Sequence, residues 1–131
     1  MIVVDTSVWI DFGRETETPQ TAWLENELKR QRLAITDLIL CEILQGIRDD
    51  KNYRETRDAL FKLEILDTGG ANLALTTAEN YRALRKTGIT VRKTIDCLIA
   101  TFCILNGHSL LHSDRDFDAF EKELGLQVIH P

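Results

Sequence analysis

The chain has 131 residues, of which 44% are hydrophobic and 28% charged, with a formal net charge of -5. That size and balance fit one globular domain spanning 1–131, and no stretch is apolar enough to cross a bilayer. The negative charge excludes a protein that relies on general attraction to duplex phosphates, although a set of metal-binding carboxylates would itself give that sign.

Met1-Ile2-Val3-Val4-Asp5 lacks a basic segment and reaches an acid at once, so no signal peptide and a cytoplasmic location are expected. Ile2-Val3-Val4 is a β-branched run too short for a helix and reads as the first strand. Asp5-Thr6-Ser7 leads into Val8-Trp9-Ile10, where Asp5 has the form of a helix N-cap. Thr18-Pro19 opens a helix over about Gln20 to Arg30. Leu33-Ala34-Ile35 is a second strand, and Thr36 or Asp37 caps a helix running toward Gly46. A helix is expected over Asn52 to Leu63 with Tyr53, Leu60 and Leu63 inward, then a short strand at Ile65-Leu66. Gly69-Gly70 turns into a helix from Ala71 to Arg85 with Ala74, Ala78 and Tyr81 on one face, ending by Gly88. Thr94 is expected to cap a helix through Leu105, closed by Asn106-Gly107. Ser109-Leu110-Leu111 is a strand, Asp116 to Glu123 a short helix, and Gln127-Val128-Ile129 the last strand.

Strands separated by helices require crossovers, which gives an α/β fold: a mostly parallel sheet of four to five strands between helical layers. Cys41, Cys97 and Cys103 lie in apolar runs without a Cys-x-x-Cys pair, so they are expected in the core of a protein from a reducing compartment. His108, His112 and His130 are scattered and offer no zinc-type spacing. Trp9 and Trp23 sit in apolar helical patterns and are expected in the core or at a subunit contact rather than stacked on a base.

Two acids stand out. Glu42 is the only charge between Leu38 and Ile47, and Asp96 is the only one between Thr94 and Gly107. Helices this apolar are expected to be largely buried, where an ionised carboxylate is costly unless paired or metal-bound. Asp96 would also suit a helix start, and Glu42 an ion pair with Arg48 or Arg92. Asp5 and Asp114 each follow a strand, with Asp116 and Asp118 close behind. In a parallel sheet these positions fall on one edge, the edge where such sheets bind ligands. Two carboxylates at roughly 4 Å repel by about 4 kcal/mol at an effective dielectric near 20, and a divalent cation relieves that. An all-oxygen set favours Mg²⁺ or Mn²⁺.

Four segments carry a resemblance: Val3 to Ile10, Glu42 to Gly46, Thr94 to Ala100, and Leu111 to Phe117. Together, in this order, they make the chain resemble a PIN domain, and within that family the VapC toxins of VapBC toxin–antitoxin pairs. The resemblance implies a three-layer PIN-like sandwich and Mg²⁺-dependent endoribonuclease activity, cleaving RNA by metal-activated water. It also implies homodimers and a VapB-like antitoxin. It places the catalytic acids at Asp5, Glu42, Asp96 and Asp114, and the metal ligands at Asp5, Asp96 and Asp114, with Asp116 a ligand as well or instead. Thr6 or Ser113 would orient a carboxylate or a water, and Arg92, Lys93 and Arg115 would guide the RNA backbone. A phosphatase of the haloacid-dehalogenase type would need an aspartate where Ser7 stands. The remaining alternative is an inactive PIN-like module that binds RNA or protein.

Overall fold

The structure, a computed structural model, describes residues 1–131. Its strands are β1 (Ile2–Val4), β2 (Leu33–Thr36), β3 (Glu64–Leu66), β4 (Ser109–Leu111) and β5 (Gln127–Val128). Its helices are α1 (Thr6–Gly13), α2 (Pro19–Glu27), α3 (Asp37–Gln45), α4 (Asp50–Leu60), α5 (Ala71–Lys86), α6 (Thr94–Asn106) and α7 (Asp118–Leu124), with one 3₁₀ turn at Arg115–Phe117. The five strands form one wholly parallel sheet in the order β3-β2-β1-β4-β5. The order reverses between β1 and β4, where Val4 pairs in register with Leu111. No helix is long and apolar enough to cross a membrane.

Strand alternation divides the core in two. Val4, Leu33 and Leu111 pack with Val8 of α1 and Leu24 of α2 on one face. Val3, Ala34 and Leu110, level with one another in the sheet, pack on the other with Ile39, Leu84, Ile99, Cys103, Phe117 and Phe120. The result is the α/β/α sandwich expected from the strand–helix alternation. Trp9 and Trp23 flank the first cluster, and the Trp9 indole donates to the Val4 carbonyl at 3.1 Å.

Local chemistry sets most boundaries. Thr18 and Thr21 form a reciprocal capping box around Pro19, so α2 starts as the sequence indicates, but it ends at Glu27 rather than Arg30. Asp49 accepts from the Asn52 amide, which moves the start of α4 back to Asp50. Gly107, at φ +68°, closes α6 in the left-handed conformation that glycine adopts without penalty.

Several expectations need correction. Thr94 is the first residue of α6, not its cap; Lys93 holds the cap position and its side chain makes no capping bond. In α5 the inward residues are Leu73, Thr77 and Leu84, while Ala74 and Ala78 face solvent. Tyr81 does pack against the core, but an alanine stripe fits either side. Tyr53 of α4 is exposed. The helix α3 packs one side against α1, α4 and α6, and only Ile39 is fully buried. Its other side stays open, which leaves Cys41 exposed instead of in the core.

Candidate metal centre at the sheet switch point

The reversal of strand order places the ends of β1 and β4 side by side, and Asp5 follows one while Asp114 lies three residues past the other. The Asp5 amide extends the ladder to the Leu111 carbonyl at 2.9 Å. Asp5 then caps α1: its Oδ2 accepts from the Ser7 amide at 3.0 Å and from the Ser7 hydroxyl at 2.7 Å. Asp5 is 4% exposed, and burial raises its pKa against the lowering effect of those bonds.

Asp96 lies in the first turn of α6 and is also 4% exposed. Its Oδ2 is buried without a hydrogen-bond partner. Burial, followed by the charges of Asp5 and Asp114, lifts its pKa from 3.8 to about 7. One oxygen each from Asp96, Asp114 and Asp116 lies within 4.8 Å of the others. Asp114 Oδ1 accepts from the Asp116 amide at 2.9 Å, which shapes the 3₁₀ turn.

Glu42 forms no ion pair with Arg48 or Arg92. Instead its Oε1 accepts from the Thr6 hydroxyl at 2.8 Å. Burial raises its pKa, and the nearby Asp5 and Asp114 charges add to the rise. Glu42 therefore shares a field with the other acids without joining the tight trio.

Among the cations, Arg92 is bound to Asp116 at 2.9 Å with a side chain 79% exposed. Lys93 lies close enough to favour the charged forms of both Glu42 and Asp96. Arg115 makes no ion pair and instead lines a surface hollow with His112, Asp114, Asp118 and His130. The structure thus brings Arg92 and Lys93 to the rim of the acids and sets Arg115 in an adjoining hollow that Asp114 also lines.

Of the two residues expected to orient groups, Thr6 does so through its hydroxyl. Ser113 is exposed and acts through its backbone: its amide donates to the Ser7 hydroxyl at 3.0 Å. Ser7 was not singled out from sequence, yet it ties Asp5 to the loop after β4. The only available signal was its place in Asp-Thr-Ser, where a side-chain bond two residues along is a common local pattern.

The chain matches the PIN domain family model over residues 2–123. It belongs to the PIN-domain family. Curated relatives of this PIN domain include a VapC ribonuclease of Mycobacterium bovis and ribonuclease VapC11 of Mycobacterium tuberculosis. Each is 34% identical over 130 residues, covering 98% of this chain and 97% of the relative. Among solved structures, VapBC2 from Rickettsia felis, bound to a DNA fragment from its promoter, aligns with a TM-score of 0.77 at 22% identity over 98% of both chains. The sarcin–ricin loop cleaving toxin VapC20 of Mycobacterium tuberculosis aligns at 0.71 with 16% identity over 100% of both. These likenesses show that the PIN fold extends over the whole chain.

Proposed function

We propose that this PIN domain is a divalent-cation-dependent endoribonuclease of the VapC class, the toxin of a type II toxin–antitoxin pair. The observation that carries the proposal is the buried, unpartnered Asp96 Oδ2, set among Asp114 and Asp116 with Asp5 and Glu42 nearby. A buried acceptor left without a donor costs about 1–3 kcal/mol, and an uncompensated cluster of carboxylates costs more. Both costs are relieved by one cation with oxygen preference, so the residues fit Mg²⁺, with Mn²⁺ as a substitute.

Asp96, Asp114 and Asp116 would hold the cation, with Asp5 completing the set and Glu42 on its flank. A bound cation supplies counter-charge to the scissile phosphate and acidity to an attacking water. Thr6 holds Glu42 at the acid cluster, and Ser7 fixes the Asp5 carboxylate. Lys93 offsets part of the negative field that RNA would meet, and Arg92 can pass from Asp116 to a phosphate. No side chain in the set needs to become a covalent nucleophile, so the expected ends are a 5′-phosphate and a 3′-hydroxyl.

An RNA substrate and a VapB-like antitoxin follow from the named relatives and from the toxin–antitoxin complexes that share the fold. A second copy of the chain would cover apolar surface such as Phe61 and Leu75, both exposed here. The three free cysteines suit a reducing cytoplasm.

The test is incubation of metal-stripped, partner-free protein with total cellular RNA, with Mg²⁺, with Mn²⁺ and with excess chelator, read by end-mapping. Discrete cuts that need the metal and vanish in Asp96→Asn are expected. Absence of cutting under every metal, by a folded protein, would instead favour the inactive binding module.

A further inference from the structure

One buried polar side chain beside the acids has no role in the scheme above. His112 follows β4 directly and is 8% exposed. Its Nδ1 accepts the backbone N–H of Asp114 at 3.1 Å. A ring nitrogen that accepts carries no proton, so the neutral ring bears its proton on Nε2. That Nε2 is buried and has no partner. The ring packs on Phe117, with centroids 5.0 Å apart and planes tilted by 46°.

An apolar side chain would fill this place on Phe117 without leaving a buried N–H unpaired. Retaining imidazole is therefore a cost to the fold alone, and the one bond it makes goes to the residue that carries the acid. Asp114 in turn holds Asp116 through its Oδ1 and the Asp116 amide. The preceding amide, that of Ser113, is held by the Ser7 hydroxyl. Two consecutive backbone amides after β4 are thus fixed by side-chain acceptors, one from α1 and one from the loop itself.

We infer that His112 is a positioning residue for the cation site: its Nδ1 fixes the Asp114 peptide and, through Asp114, the Asp116 arm of the acidic trio. The inference rests on the cation-dependent reading above. Partners that orient metal ligands are typically worth about 10- to 100-fold in metal affinity. His112→Phe keeps a ring on Phe117 and removes the acceptor. His112→Asn places an amide oxygen where Nδ1 stands.

The measurement is Mn²⁺ affinity of the metal-stripped protein by titration calorimetry, with urea unfolding in chelator as the readout of fold stability. His112→Phe is expected to weaken Mn²⁺ about tenfold or more while unfolding near the wild-type midpoint, and His112→Asn to restore most of the affinity. Equal Mn²⁺ affinity in wild type and His112→Phe overturns the inference, as does an Asn variant that binds no better than Phe. If His112→Phe fails to fold, His112→Leu replaces it; failure of both makes the ring structural and also overturns the inference. A wild-type protein that binds no Mn²⁺ overturns the cation-dependent reading itself, which is a separate outcome.

Discussion

Replacing Asp96 by asparagine separates the cost of the acidic site from its use. Burial and neighbouring charges raise the Asp96 pKa from 3.8 to about 7. At about 1.4 kcal/mol per tenfold change in proton affinity, that rise corresponds to about 4 kcal/mol at alkaline pH. The folded state holds this proton more tightly than the unfolded chain does. The stability it contributes is therefore complete below pH ~4 and is lost as pH rises through about 7. Between pH ~5 and ~8 the wild-type protein should lose about 2–3 kcal/mol through this group. Asparagine has no proton to lose, and its amide meets the same partnerless surroundings at a cost of about 1–3 kcal/mol that does not vary with pH. In chelator, Asp96→Asn should be no more stable than wild type at pH 5 and should gain on it by about 2–3 kcal/mol by pH 8. Urea unfolding at several pH values measures this directly. Added Mn²⁺ should reverse the order at pH 8, because a ligand that binds only the folded wild type stabilises it by mass action. Parallel pH profiles in chelator for the two proteins would refute the placement of Asp96 as a buried, charge-crowded acid.

Four further outcomes follow from single contacts. Ser7→Ala removes a hydroxyl that donates to Asp5 at 2.7 Å and accepts from the Ser113 amide at 3.0 Å; about 1–3 kcal/mol of stability should go, with a loss of metal-dependent cutting. Thr6→Val keeps the shape but deprives Glu42 of its donor, so the Glu42 pKa should rise further, read by NMR titration of the side-chain carboxyl, and an unmoved titration would place the Thr6 contact elsewhere. Arg92→Gln frees Asp116 from a solvent-exposed ion pair, so Mn²⁺ affinity should rise by no more than about fivefold while RNA affinity falls. Gly107→Ala meets open space but must hold φ +68°, so a loss of about 1 kcal/mol in urea unfolding is expected from backbone strain alone.

The strands and the acids were legible because their signals are local. Ile2-Val3-Val4 and Leu33-Ala34-Ile35 are β-branched or apolar runs too short to be anything else, and a lone acid in Thr94 to Gly107 announces itself by its cost. Phase was harder to read. In α5 the alanines at 74 and 78 and the Leu73–Thr77–Leu84 set lie one residue apart, and only the sheet decides which stripe turns inward. The apolar content of α3 likewise did not reveal that Cys41 and Gln45 would face solvent. Ser7 and His112 escaped notice because their roles depend on distant or irregular backbone. Ser7 meets an amide 106 residues away, and His112 is defined by a 3₁₀ turn that no periodicity reports.

The way the acids are held has a consequence for how the site responds to change. Adjacent residues at the start of α1, Thr6 and Ser7, hold Glu42 of α3 and Asp5 after β1, and Ser7 also holds the loop that carries Asp114. Three of the acids are therefore referenced to one helical turn, whose free amides favour negative charge. The Asp96 carboxylate has no hydrogen-bond tether at all; it is set by the packing of α6, where Cys97, Ile99, Ala100 and Cys103 are all buried. A shift of α1 would move the tethered acids together and preserve their mutual spacing. A shift of α6 would move Asp96 against the rest and open the trio. Cavity-forming substitutions under α6, such as Ile99→Ala, should therefore weaken Mn²⁺ binding, because they alter the spacing of Asp96 from Asp114 and Asp116, which no hydrogen bond defends.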